Sequence, residues 1–313
     1  MGQIQDGPIA RSFFAWADQK GLRKLTGISS VGDSTNKKKV KPRWSRLASA
    51  GLPDVVGLEP QFTDVTGIDI FSADRTMTVG VPPQEAGRVD GAAVAAVKKK
   101  FQALGAQAVT AGGRTRIVLA PDDQVDASDS RLAGDVYLAL NRVTMKGSSV
   151  GFGLATGPVD AVLGGGPALL DDPDVAAVTS CLGDVVAAQI LAPPPGSAAG
   201  VTRVGVGVRR PQAVTDGVQE VLCETAGRQL PQVAATITSR VQPGAPLPGT
   251  GLQTEQRFVQ AVVDQTPKGK AVRLTINLVA PARAGFLLFD MGPQESLLAF
   301  LGGGVSPPPS TRH

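Results

Sequence analysis

Two cysteines, a scatter of carboxylates and three glycine-rich stretches are the parts of this chain whose residue types could do chemistry. Cys181 falls in an apolar helical stretch beside Val178, Leu182 and Val185, and Cys223 falls in the extended stretch 219–225. No C-x-x-C spacing occurs, so neither a zinc site nor a thioredoxin-type pair is encoded. On spacing alone, two buried free thiols and a disulfide joining a helix to a strand of one core both stay open. The single histidine is His313. Ser-His-Asp and Cys-His nucleophile pairs therefore cannot be assembled, and zinc enzymes are disfavoured for the same reason.

The carboxylates offer less than their number suggests. Only six glutamates occur, Glu59, Glu85, Glu220, Glu224, Glu255 and Glu295, and none is singled out by its neighbours. Two acids at the correct separation are all a glycosidase-type reaction needs, so that chemistry stays open. Asp122, Asp123, Asp126 and Asp129 cluster in an acidic loop without the glycine and terminal glutamate of an EF-hand, and read as a solvated turn. Asp171, Asp172 and Asp174 precede or open a helix, where negative charge complements the dipole. The glycine stretches at 164–166, 205–207 and 302–304 lack the spacings that cradle phosphates or dinucleotides. Leu247-Pro248-Gly249-Thr250-Gly251 matches a sortase-type LPxTG, but polar and strand-forming residues follow it, so it reads as a turn. No cofactor and no metal are implied by any of these patterns.

The elements that must position these residues follow from periodicity. The chain has 313 residues, 42% of them apolar and only 4% aromatic, so its core is aliphatic. Base- or sugar-stacking platforms are correspondingly disfavoured. The formal net charge is +4, yet residues 1–50 carry ten Lys/Arg against three Asp, which leaves the remainder at −3. The basic character thus belongs to Lys37, Lys38, Lys39, Lys41, Arg43 and Arg46 and their neighbours, read as a solvated leader. No apolar run long enough for a transmembrane helix is present, and no secretory signal precedes the body.

Phe13, Phe14, Trp16 and Leu25 predict an amphipathic helix over 9–25, followed by a polar loop and a short helix over 44–50. Residues 79–83 read as extended, ended by Pro82-Pro83. Asp90 is expected to cap a helix running to Leu104, whose Val94, Val97, Phe101 and Leu104 share one face. Strands are expected over 116–120, then 136–145 and 149–155 as a hairpin about Lys146-Gly147. A helical turn over 158–163 is broken by Gly164. Pro173 opens a helix expected to run to 191. Strands follow over 201–208 and 219–225, a helix over 229–241, and strands over 257–264 and 272–279. A last helical turn is expected over 295–301.

This irregular interleaving predicts an α+β fold with a mixed or mainly antiparallel sheet. Its expected organisation is a basic, partly disordered leader (1–46), an α+β body (47–302) and a disordered tail (303–313). A candidate internal boundary lies in the Pro-rich stretch 192–200. Residues 1–40 and 303–313 are expected to be dispensable for folding.

The stretch from Leu170-Asp171-Asp172-Pro173 to Thr179-Ser180-Cys181-Leu182-Gly183-Asp184, with Val221-Leu222-Cys223 after it, resembles a pattern in uncharacterised secreted proteins and lipoproteins of actinobacteria. Gly80-Val81-Pro82-Pro83 and Gly87-Arg88-Val89-Asp90 are similar to an earlier part of the same pattern. The resemblance covers about residues 60–300 and brings no catalytic residues. It implies an extracytoplasmic protein, although the export signal of that pattern is replaced here by the basic leader; a cytoplasmic location is the alternative. With it, a Cys181–Cys223 disulfide is expected. The functional expectation is a non-enzymatic cell-envelope protein that binds a protein or small-ligand partner. The alternatives are an enzyme using carboxylate or Ser/Lys chemistry, and nucleic-acid binding through the basic leader. The −3 body disfavours the last.

Overall fold

The computed structural model describes residues 2–30, 33, 44, 47–55, 58–124, 140–193, 197, 200–212, 217–248, 250, 252–266, 269–279, 286–291, 297 and 300–301. The fold is α+β, with eight α-helices among the described residues and sheet pairings that are antiparallel wherever their register is described. The chain divides into two units, Met1–Asp172 with Val186–Ala188, and Pro173–Val185 with Gln189–His313.

In the first unit, α1 (Pro8–Ser12), β1 (Phe13–Ala17) and α2 (Gln19–Thr26) precede α3 (Glu59–Thr66) and the hairpin β2 (Arg75–Val81)–β3 (Gln84–Asp90). After α4 (Val94–Ala103) come β4 (Ala108–Ala111), β5 (Arg114–Val118), β6 (Arg142–Lys146), β7 (Ser149–Gly153) and α5 (Thr156–Leu163). The strand order is β1-β2-β3-β7-β6-β5-β4. Val81 pairs with Gln84, so Pro82 and Pro83 form the turn of the β2–β3 hairpin. Neither proline has an N–H to offer the ladder, which is why the pairing stops there.

Period-two alternation divides the sheet's faces. Ala86 and Arg88 point towards α5, where the Arg88 guanidinium donates to the Val162 carbonyl at 3.1 Å. Gly87, Val89, Val150 and Phe152 point the other way, into a core shared with Leu52, Val55, Phe62, Val97 and Phe101. Phe62 from α3 and Phe152 from β7 meet with ring centroids 5.1 Å apart, a spacing at which tilted rings attract.

The second unit holds α6 (Pro173–Leu182), β9 (Arg203–Arg209), β10 (Gln219–Thr225), α7 (Leu230–Arg240), β13 (Phe258–Gln265), β14 (Val272–Leu278) and α8 (Leu288–Met291). Strand β8 (Val185–Leu191) falls partly in each unit, and a two-stranded ribbon is made by β11 (Pro246–Leu247) and β12 (Leu252–Gln253). The order β9-β10-β14-β13 puts β10 between two partners, Cys223 lying opposite Gly205 on one side and Arg273 on the other.

Several expectations are corrected. The helix expected over 9–25 is a helix, a strand and a second helix. Phe14, Ala15 and Ala17 are fully buried in β1, which pairs with β2 from Phe14↔Val79 to Ala17↔Thr76. A strand covered on both faces loses its alternation and reads like a helical segment. Residues 2–30 therefore contribute to the first unit's core, contrary to the expectation that residues 1–40 are dispensable. The helix expected over 173–191 stops at Leu182, because Gly183 takes φ +67°, a conformation that favours glycine. The remainder, Val185–Leu191, is a fully buried strand. Asp90 ends β3 instead of capping a helix, and α4 begins at Val94. The basic cluster at 37–43 and 46, Asp126, Asp129 and the tail from 302 lie outside the described residues.

Candidate functional site

An apolar cavity of about 420 Å³ opens in the first unit, on the face of the sheet opposite α5. Its floor is the β2–β3 hairpin and the end of β7. Its walls are Leu52, Asp54, Val55 and Leu58 and the first turn of α3. Leu52, Val55, Leu58, Phe62, Pro82, Pro83, Phe152 and Leu154 supply the apolar lining. The polar side chains in it are Thr78, Asp54 and Glu85. Thr78 is already committed, its hydroxyl donating to the Gly51 carbonyl at 2.9 Å.

Local sequence explains the space. Gly87 stands on the inward side of β3. A Cβ built there would lie 2.5 Å from Phe152 Cζ and 2.8 Å from Leu52 Cδ2. Glycine lets the Phe152 ring lie directly over the strand, and the volume beside it stays open. The adjacent inward position is Glu85, which brings its carboxyl to the cavity wall two residues after the double proline.

Glu85 hydrogen-bonds the Asp54 side chain. Burial, and next the contact with Asp54, push its carboxyl up to about 9. Two carboxyls so close cannot both carry charge comfortably, so they share a proton. At neutral pH Glu85 therefore keeps its proton and donates it to the Asp54 side chain. The result is a pair of acidic side chains at the wall of an otherwise apolar chamber. A cavity of this size, apolar with a few converging polar groups, is what a small-molecule site requires.

A second, more polar cavity of about 490 Å³ is lined by Gln3, Arg88, Lys146, Ser149, Gly164, Gly165 and Gly166 among others. It brings together one of the glycine runs and two basic side chains. Arg88 is spoken for: it pairs with Asp90 at 2.7 Å and also donates to Gln3 Oε1 at 2.7 Å. Its charge is thus balanced by Asp90.

Cys181 and Cys223 are brought together. They form a disulfide in the second unit, with Cα atoms 6.1 Å apart and both side chains buried. It ties α6 to β10. The acidic loop is not gathered into a site where it is described: Asp122 pairs with Arg142 at 2.5 Å and accepts from the Thr156 hydroxyl, while Asp123 accepts from Gln84. Among the described residues, no group of three or more His, Cys, Asp or Glu is placed to hold a metal ion. No described helix is long and apolar enough to cross a membrane. In the LPxTG stretch Leu247 ends β11, and the Thr250 hydroxyl donates to the Leu247 carbonyl at 2.9 Å.

Sequence reasoning missed Asp54 and Glu85. The available signal was register: once Val89 and Gly87 are read as inward, Glu85 is a lone acid on the inward face of an apolar hairpin. Comparison with protein-family models, with curated proteins and with solved structures gives no match to this chain.

Proposed function

We propose that this is a non-enzymatic, extracytoplasmic binding protein whose first-unit cavity takes a small, largely apolar molecule. The observation that carries the reading is the cavity itself. Apolar side chains make up most of its lining, and the two carboxyls on its wall are occupied with each other. The buried Cys181–Cys223 bond supports the location, since such bonds persist in oxidising compartments. The resemblance to secreted actinobacterial proteins points the same way.

The test is titration of the full chain with Nile red, a neutral apolar dye whose emission rises when it leaves water. Saturable binding is expected, and Leu58→Trp, which fills the half-buried rim, should abolish it while leaving the melting transition in place. Absence of saturable binding, or binding unchanged in Leu58→Trp, would overturn the reading. Fractionation of the native host should find the protein in the envelope or medium.

One observation favours a second reading. A carboxyl held protonated at neutral pH beside a second carboxyl is a general acid in form. On that reading Glu85 donates the proton and Asp54 is its partner. A turnover activity lost in Glu85→Gln without unfolding would establish it in place of simple binding.

A further inference from the structure

We propose that the occupant of the first-unit cavity is an aliphatic amine, with its alkyl part against Phe62, Pro82 and Phe152 and its ammonium between Asp54 and Glu85. This deepens the reading that the cavity is a ligand site and rests on it. The charged residues that line the cavity among those described are both acidic, with no Lys, Arg or His beside them. An anionic amphiphile such as a fatty acid would bring a carboxylate to a wall whose acidic side chains have no basic residue beside them. A neutral amphiphile would make no ion pair with either acid.

An ammonium meets both carboxyls at once. It takes the place of the shared proton, which leaves to solvent, and it donates to two carboxylates in place of one acid–carboxylate hydrogen bond. The arrangement has the right polarity along its length. The carboxyl pair sits on one wall, and Leu52, Val55 and Phe152 continue the apolar surface away from it. The rest of the chamber has little to satisfy a second polar group, because the Thr78 hydroxyl is donated to Gly51. The ligand class is therefore a molecule with one cationic end and an unbranched or compact apolar remainder.

The experiment compares three probes of equal chain length on the full chain by calorimetry, below the concentration at which they aggregate: decylamine, decanol and decanoate. Decylamine is expected to bind roughly tenfold or more tighter than decanol, the scale of one close charge pair, and decanoate weakest. In Glu85→Gln and in Asp54→Asn, decylamine should fall to the level of decanol. Asp54 is exposed, so its variant keeps the test open should Glu85→Gln fold poorly. Decanol binding as well as decylamine, or decanoate binding tightest, would overturn the amine while leaving the apolar cavity reading intact. A preference for decylamine that survives both substitutions would overturn its placement between the carboxyls. Failure of all three probes to bind would overturn the cavity reading as well.

Discussion

Glu220 and Glu224 both lie on β10, both are buried, and their surroundings differ. Glu220 accepts from the backbone N–H groups of Leu287 and Phe289 at 2.8 Å and of Leu288 at 3.2 Å. Burial pushes its carboxyl up and these three donors pull it back, leaving it at about 7. Glu224 has no such compensation: its Oε1 is without a hydrogen-bond partner, and burial alone raises it to about 8. Both groups hold protons in the folded state that an unfolded chain would release above about 4.5. Their contribution to stability is therefore complete below that pH and is lost as pH rises through 7 and 8. The second unit should melt at a lower temperature at pH 8.5 than at pH 5.5, and Glu224→Gln should narrow the difference. Glu224→Met should stabilise by about 1–3 kcal/mol at pH 8, because it removes a buried polar atom that finds no partner. Glu220→Ala should do the reverse, at a cost of about 3 kcal/mol or more, since three backbone donors lose their acceptor. Denaturant melts of the three variants at both pH values check these signs together.

The disulfide belongs to the scale of elements, because it fastens α6 to the strand it covers. It closes a loop between residues 42 apart in sequence, for which the chain-entropy argument gives roughly 4 kcal/mol. Thiol titration of denatured, unreduced native protein should find no free thiol, and Cys181→Ser with Cys223→Ser should lower stability by about that amount. Gly87→Ala on β3 is expected to be destabilising by about 1–3 kcal/mol, because the added methyl would press on Phe152 and Leu52. The alternating strands could be read from the sequence closely: β10 matches its expected span, β13 and β14 fall within a residue of theirs, and the β6–β7 hairpin turns at Lys146-Gly147 as expected, although β6 begins at Arg142 and residues 136–139 of its expected span lie outside the described residues. Val272, Leu274 and Ile276 alternate with polar residues, and only one face of such a strand is apolar. Strands β1 and β8 could not be read in this way. Phe13–Ala17 and Val185–Leu191 are buried almost throughout, so tertiary cover, not local pattern, decides that they are strands. The cavity was hidden for a related reason. Asp54 and Glu85 are 31 positions apart in sequence, and no local spacing joins residues that meet only once α3 and residues 52–55 pack over the β2–β3 hairpin.

At the scale of the whole molecule, the two units carry different parts of the account. The first, from Met1–Asp172 with Val186–Ala188, holds the cavity and its carboxyl pair, and the second holds the disulfide. Ligand should therefore protect the first unit against denaturation by mass action, and reduction should weaken the second. Hydrogen exchange with and without reductant, and with and without decylamine, would read the two effects separately along the chain. The central claim is that a small apolar molecule enters the first-unit cavity. Its most direct test is a backbone amide chemical-shift titration of the isotope-labelled chain with decylamine. Saturating shifts concentrated at 52–62, 78–87 and 152–154 are the predicted result. Shifts centred elsewhere, or none at saturating probe, would contradict it.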